Sequence, residues 1–265
     1  KNTEQNISSF VINTNENLYS KLNSIGKNAF KNFKGQIQIT DNLGIISNLY
    51  DNCFDMSELS YTRDFIQTIY AINIDKSLDE IILTDNISLT NFPQRCFKNF
   101  KGTLTITGEL TALETIGDEC FSGCTNTNNK IEIFGSYAPN LNLIGEKSFE
   151  NSYGITFQGT FNKLTEIKSE AFKNTNGSVF KYEDMISLTS IGASSFSKED
   201  EFFTNQVSLK GNYPSLSSLG ESAFQNSGTE NDEILIVHNP TTEDSGDHPL
   251  QSFSLDCFKD YKGKI

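Results

Sequence analysis

The sequence predicts a repeat solenoid of about nine to ten repeats, mostly β with parallel strands and short helical or 3₁₀ turns. The first observation behind this is a recurring nine-residue phrase: LNSIGKNAF (22–30), LETIGDECF (113–121), LNLIGEKSF (141–149), LTEIKSEAF (164–172), LTSIGASSF (188–196) and LSSLGESAF (216–224). Degenerate copies stand at 46–54, 89–97 and 250–258. The second is the period. The closing phenylalanines Phe30, Phe54, Phe97, Phe121, Phe149, Phe172, Phe196, Phe224 and Phe258 recur mostly every 23 to 28 residues. A unit that short cannot bury its own apolar face and must share a core with its neighbours. The third is a period-two segment after nearly every phrase, such as QIQIT (36–40), TLTIT (103–107) and KIEIF (130–134), which reads as a strand with one buried face.

Taken in chain order, residues 1–20 are expected to cap the array and 22–265 to hold the repeats, all as one domain. Within the phrases a glycine follows the fourth residue, Ile or Leu, in five copies: Gly26, Gly117, Gly145, Gly192 and Gly220. Glycine is unfavourable inside a helix and cheap at positive φ, so this offset is expected to bend the chain between a short extended LxxI segment and a one-turn AF corner. The residue before the phenylalanine is Ala, Ser or Cys, which asks for small volume in a tight place. Asn32, Asn99, Asn151, Asn174 and Asn226 follow the corner and are expected to satisfy backbone groups of their own and the adjacent coil.

In the strands, Ile37, Ile39, Leu104, Ile106, Ile131, Ile133, Ile155, Phe157, Val207, Leu209, Ile234 and Ile236 are predicted to point inward. Gln38, Thr105, Glu132, Thr156 and Ser208, with Leu235, then form a row on the open face. In SVFKY (178–182) the usual spacing would bury Lys181, so the register with Phe180 and Tyr182 inward is preferred and a bulge is expected. Residues 55–80 read as a degenerate repeat or insertion, supplied by YTRDFIQTIYAINI (61–74). Residues 238–249 read as an acidic, turn-rich projecting loop.

The bulk chemistry excludes several functions. The formal net charge is −13 with no basic stripe, which argues against nucleic acid and against anionic lipid. No apolar run approaches the roughly 20 residues of a membrane helix. The chain starts KNTEQN and stops at KGKI, where a further strand should begin, and is read as a piece of a longer protein. Of the five cysteines, Cys53, Cys96, Cys120 and Cys257 occupy the small slot and Cys124 lies four residues past Cys120. They are expected to be structural thiols, although Cys96 and Cys120, one coil apart, would reach disulfide distance if their Cβ vectors converge. His238 and His248 lie in the acidic loop with Glu243, Asp244 and Asp247, a set able to ligate a divalent ion only if the loop brings it together. No metal or cofactor is predicted, and no catalytic constellation is visible. Asn6, Asn86 and Asn176 begin N-x-S/T sequons.

LxxIGxxAFxN at this period resembles the BspA-like (treponemal-type) leucine-rich repeats, over nearly the whole chain from Leu22 to Ile265. The cysteine two residues past AF and the strand proline of many family members are replaced or missing here. The resemblance implies a leucine-rich-repeat solenoid, non-enzymatic, at the cell surface or secreted. It further implies adhesion to a protein or glycan on a host or neighbouring cell, and since solenoids present extended surfaces the sheet face (Gln38, Thr105, Glu132, Thr156, Ser208) or the projecting loops are expected to make the contact. A monomer is expected. The alternatives are an intracellular interaction scaffold, which reduced cysteines would suit, and an accessory binding domain of a larger protein.

Overall fold

The described repeats trace coils with three sides, and most sides hydrogen-bond to the equivalent side of the next coil. The computed structural model describes residues 9–13, 23–33, 36–41, 46–57, 80–181, 184–237, 250 and 252–265. No helix occurs among them.

The first side is a parallel sheet of eight strands in chain order: Ser9–Asn13, Gln36–Asp41, Glu80–Thr84, Thr103–Thr107, Lys130–Phe134, Tyr153–Gln158, Asn176–Lys181 and Gln206–Val207. The alternation works as expected: Ile37, Ile39, Leu104, Ile106, Ile131, Ile133, Ile155, Phe157, Val207 and Leu209 are buried, and the intervening residues of the long strands are mostly half-buried or exposed. The pair Leu209–Asn212 and Ile234–Val237 continues the same side. The second side is the LxxI segment. Seven two-residue strands from Asn91–Phe92 to Ser252–Phe253 form one parallel sheet, and Ser24–Ile25 pairs with Asn48–Leu49.

The third side is the AF corner, where alternate N–H groups serve different coils. In the first described corner, Ala29, Lys31 and Phe33 donate three residues back in 3₁₀ fashion, whereas Asn28, Phe30 and Asn32 donate to Asp51, Cys53 and Asp55 of the next coil. The corner is therefore half 3₁₀ turn and half inter-coil ladder. Each rung phenylalanine from Phe30 to Phe224 donates its N–H to the carbonyl of the next coil's Ala/Ser/Cys slot at 2.7–2.8 Å. Close backbone approach at that slot is why it takes only small side chains.

Inside the three sides runs one core. The nine rung phenylalanines stack ring on ring from Phe30 to Phe258, with successive centroids 5.1–5.3 Å apart and planes within 11°. Offset-stacked aromatics at this separation attract beyond their burial, by roughly 0.5–1.5 kcal/mol per pair.

Several expectations are corrected. The IG glycines are not at positive φ. Instead, a Cβ at Gly117, Gly145, Gly192 or Gly220 would fall 2.3–2.6 Å from a backbone nitrogen of the preceding coil, while Gly26, first in the described stack, has nothing within 4 Å. Coil-to-coil proximity, not bending, selects glycine. The left-handed positions lie two residues later, in all nine copies: Asn28, Asn52, Arg95, Glu119, Lys147, Glu170, Ser194, Ser222 and Asp256, with φ of 53–58°. A second left-handed site explains the recurrent asparagine, since Asn32, Asn99, Asn151, Asn174 and Asn226 have φ of 51–57° and Gly123 takes the same place in its coil.

The expected bulge at residues 178–182 exists, but both Val179 and Phe180 are buried, because Phe180 adopts φ 52° and breaks the alternation. Tyr182 lies outside the described residues. So do 58–79, and the rungs on either side meet directly: Phe54 stacks on Phe97 at 5.3 Å, and Gln36–Asp41 pairs with Glu80–Thr84. No coil intervenes there among the described residues. Residues 238–249, with both histidines, are likewise outside.

Candidate binding face

The open face of the eight-stranded sheet presents short polar side chains, but not as the single row expected. Strand registers slide between coils. Gln38 lies opposite Glu80, and Thr105 opposite Ile82 and Lys130, so these two residues belong to separate rows. Glu132, Thr156, Ser178 and Gln206 do face one another on four successive strands, a row of about 14 Å at the usual inter-strand spacing. Ser208 is not on this face. It sits at the break between Gln206–Val207 and Leu209–Asn212, fully buried, donating to Asp232 Oδ1 at 2.9 Å and accepting from the Glu233 N–H at 3.0 Å. Leu235 is exposed, as expected.

A groove of about 550 Å³ opens beside the Thr156 row. One wall is Thr156, Ser178 and Gln206; the other is Tyr153 and its register partner Asn176, with Thr204 beyond. Between the walls lie Gly154 and Gly177, which carry no side chain. Both glycines are sterically required, because a Cβ would come within 1.9 Å of the carbonyl oxygens of Asn129 and Ile155 respectively. Gly154 is also the residue skipped by the ladder, a bulge at φ 74°. Bulges recur where a strand re-aims side chains near sites. The sequence signals for this groove were Gly154 and Gly177 inside period-two segments, where glycine marks a bulge or a close approach.

The groove's hydrogen bonding is already oriented. Ser178 Oγ donates to Gln206 Oε1 at 3.0 Å, and Thr204 Oγ1 donates to Asn176 Oδ1 at 2.8 Å. Tyr153 stacks on Phe203 with ring centroids 5.4 Å apart and planes 18° apart. Among the described residues that line the groove the one cation is Lys130, 3.5 Å from Glu132.

The corner side of the solenoid has a different character. Several of its charges pair between coils: Lys98 with Glu119, Lys147 with Glu170 at 3.4 Å, and Lys173 with Glu199 at 2.8 Å. Partial burial, then the Glu170 charge, raises the Glu150 carboxyl above its ordinary range. Arg95 meets the fully buried Asp55 carboxylate at 3.1 Å. All five cysteines are free and buried, and the Cys53 and Cys96 sulfurs lie 3.1 Å apart. Burial pushes the thiols of Cys96 and Cys124 up, and that of Cys257 to about 11, so none of these three supplies a thiolate at neutral pH. Among the described residues no group of three or more His, Cys, Asp or Glu side chains is placed to hold a metal ion. Asn86 is fully buried, which removes its sequon from the folded surface.

A family model described as a BspA type leucine-rich repeat region matches in six copies, over residues 5–128, 70–202 and 115–242. The chain belongs to the BspA-type leucine-rich repeat family. This agrees with the parallel-strand solenoid and marks the chain as a protein-interaction repeat module. No curated protein and no solved structure matches it. No described helix is long and apolar enough to cross a membrane.

Proposed function

We propose that this chain is a non-catalytic, cell-surface or secreted adhesion module that engages a protein or glycan partner through the open face of its long sheet. The observation that carries this reading is the division of labour between sides. The corner side pairs several of its charges between coils, whereas the open face offers a polar groove in which Asn176 and Gln206 keep amide N–H₂ groups with no partner among the described residues. Repeat solenoids bind through such extended surfaces. The five free cysteines favour a second reading, an intracellular scaffold using the same face.

Two measurements test the proposal. Antibody against the chain should label intact source cells; labelling only after permeabilisation rejects the surface reading in favour of the scaffold. Purified chain should adhere to target cells or matrix, and Thr156→Arg, which obstructs the groove wall, should reduce adhesion at least tenfold. Adhesion unchanged by Thr156→Arg contradicts the choice of face.

A further inference from the structure

Resting on the open-face reading, we infer that the groove between Tyr153–Asn176 and Thr156–Gln206 is a binding site for a neutral oligosaccharide.

Strand addition is closed to this groove. Extended peptides commonly bind by adding a strand to a free sheet edge, where main-chain groups supply affinity. Here Tyr153–Gln158 lies between Lys130–Phe134 and Asn176–Lys181, and the latter lies between Tyr153–Gln158 and Gln206–Val207; Gln206–Val207 ends the sheet, but the carbonyls of Asn205 and Val207 already accept from the Gly228 N–H and the Tyr261 hydroxyl. Recognition must therefore come from side chains standing on the face.

Those side chains are fixed donors and hydroxyls. Both amide oxygens are engaged by protein hydroxyls, which leaves the N–H₂ ends of Asn176 and Gln206 as fixed donors on opposite sides of the groove. Thr156 and Tyr153 add hydroxyls that can donate or accept. A ligand rich in hydroxyl and ring oxygens meets donors with acceptors and acceptors with donors. The glycine-floored gap leaves room for a ring between the walls, and the Tyr153 ring, held by Phe203, supplies an apolar plate for sugar C–H groups.

Charge selects against acidic ligands. Lys130 is neutralised by Glu132, and the chain carries a net charge of −13, so nothing at the groove attracts sulfated or sialylated chains. The volume of about 550 Å³ accommodates two to three sugar rings.

The test uses the whole 265-residue chain made in a bacterial host, so that the Asn176-Gly177-Ser178 sequon stays bare. It is applied to an array of neutral, sialylated and sulfated oligosaccharides, and calorimetry then measures the best neutral tri- or tetrasaccharide. The expected result is binding of neutral oligosaccharides that weakens at least tenfold in Asn176→Ala/Gln206→Ala and in Tyr153→Ala, with the wild-type thermal midpoint kept in the first variant. Binding confined to acidic oligosaccharides, binding of none, or affinity unchanged in these variants overturns the assignment. The outcome is separable from that of the open-face reading. If Thr156→Arg abolishes cell adhesion while no neutral oligosaccharide binds, the face stands and the sugar falls; if Thr156→Arg adheres like wild type, the face itself falls.

Discussion

Individual positions in the repeat are chosen by contacts with the neighbouring coil more than by their own. Gly192 shows this, since an added Cβ would lie 2.4 Å from the Ser169 nitrogen, whereas Gly26 has open space. Gly192→Ala should destabilise the chain by about 1–3 kcal/mol, the range for overpacking, and Gly26→Ala should leave it unchanged or slightly more stable. Chemical denaturation of the two variants checks the contrast. The slot is not glycine-only, because Tyr50, Pro93, Lys168 and Ser254 fill it in other coils. The recurrent asparagine is likewise a backbone requirement. At Asn99, φ 56°, Asn99→Ala should cost about 1–2 kcal/mol, and Asn99→Gly should stay near wild type, as Gly123 does in the same place. Both residue types were visible as recurrent letters. Their causes were not, because a single line of sequence does not show which backbone atoms stack one coil away.

At the scale of the element, the strands were the most legible part. Period-two alternation named the inward residues because a one-residue slip would turn every apolar side chain to water. What alternation does not contain is the register between coils, and for that reason Gln38 and Thr105 fell into different rows and Ser208 fell into the core. Ser208 is tolerated there because Asp232, itself buried, accepts its hydrogen bond and those of the Thr229 N–H and hydroxyl. The groove escaped notice because it arises from a bulge at Gly154 and from pairing across coils. Corner electrostatics make a pH prediction. Because burial, then Glu170, raises the Glu150 carboxyl, the folded state holds that proton more tightly than the unfolded chain does. The penalty is therefore absent below the unfolded glutamate range and grows as pH rises through the folded value. Glu150→Gln should be more stable than wild type at pH 7–8, and the difference should vanish below about pH 4. Thermal melts across pH 3–8 measure it.

For the molecule as a whole, the nine-membered phenylalanine stack is the feature on which the binding face depends, since it holds successive coils at the constant spacing that aligns their strands. This was readable from sequence alone, because nine repeats of one phrase leave few alternatives to a shared core. The 43-residue step between Phe54 and Phe97 left a degenerate repeat and an insertion both open, and the two rings are stacked neighbours, which favours the insertion. Burying a phenylalanine is worth roughly 1.5–3 kcal/mol, and its removal leaves a cavity as well, so Phe149→Ala in mid-stack should cost about 3–5 kcal/mol. In a nearest-neighbour array the loss acts first on the coils in contact. Hydrogen exchange of Phe149→Ala, followed by mass spectrometry, is the most direct measurement. The expected result is lost protection centred on residues 121–180, with the distant coils near Phe54 and Phe224 still protected. Protection lost uniformly along the chain, or not lost at all, would contradict a spine shared coil by coil.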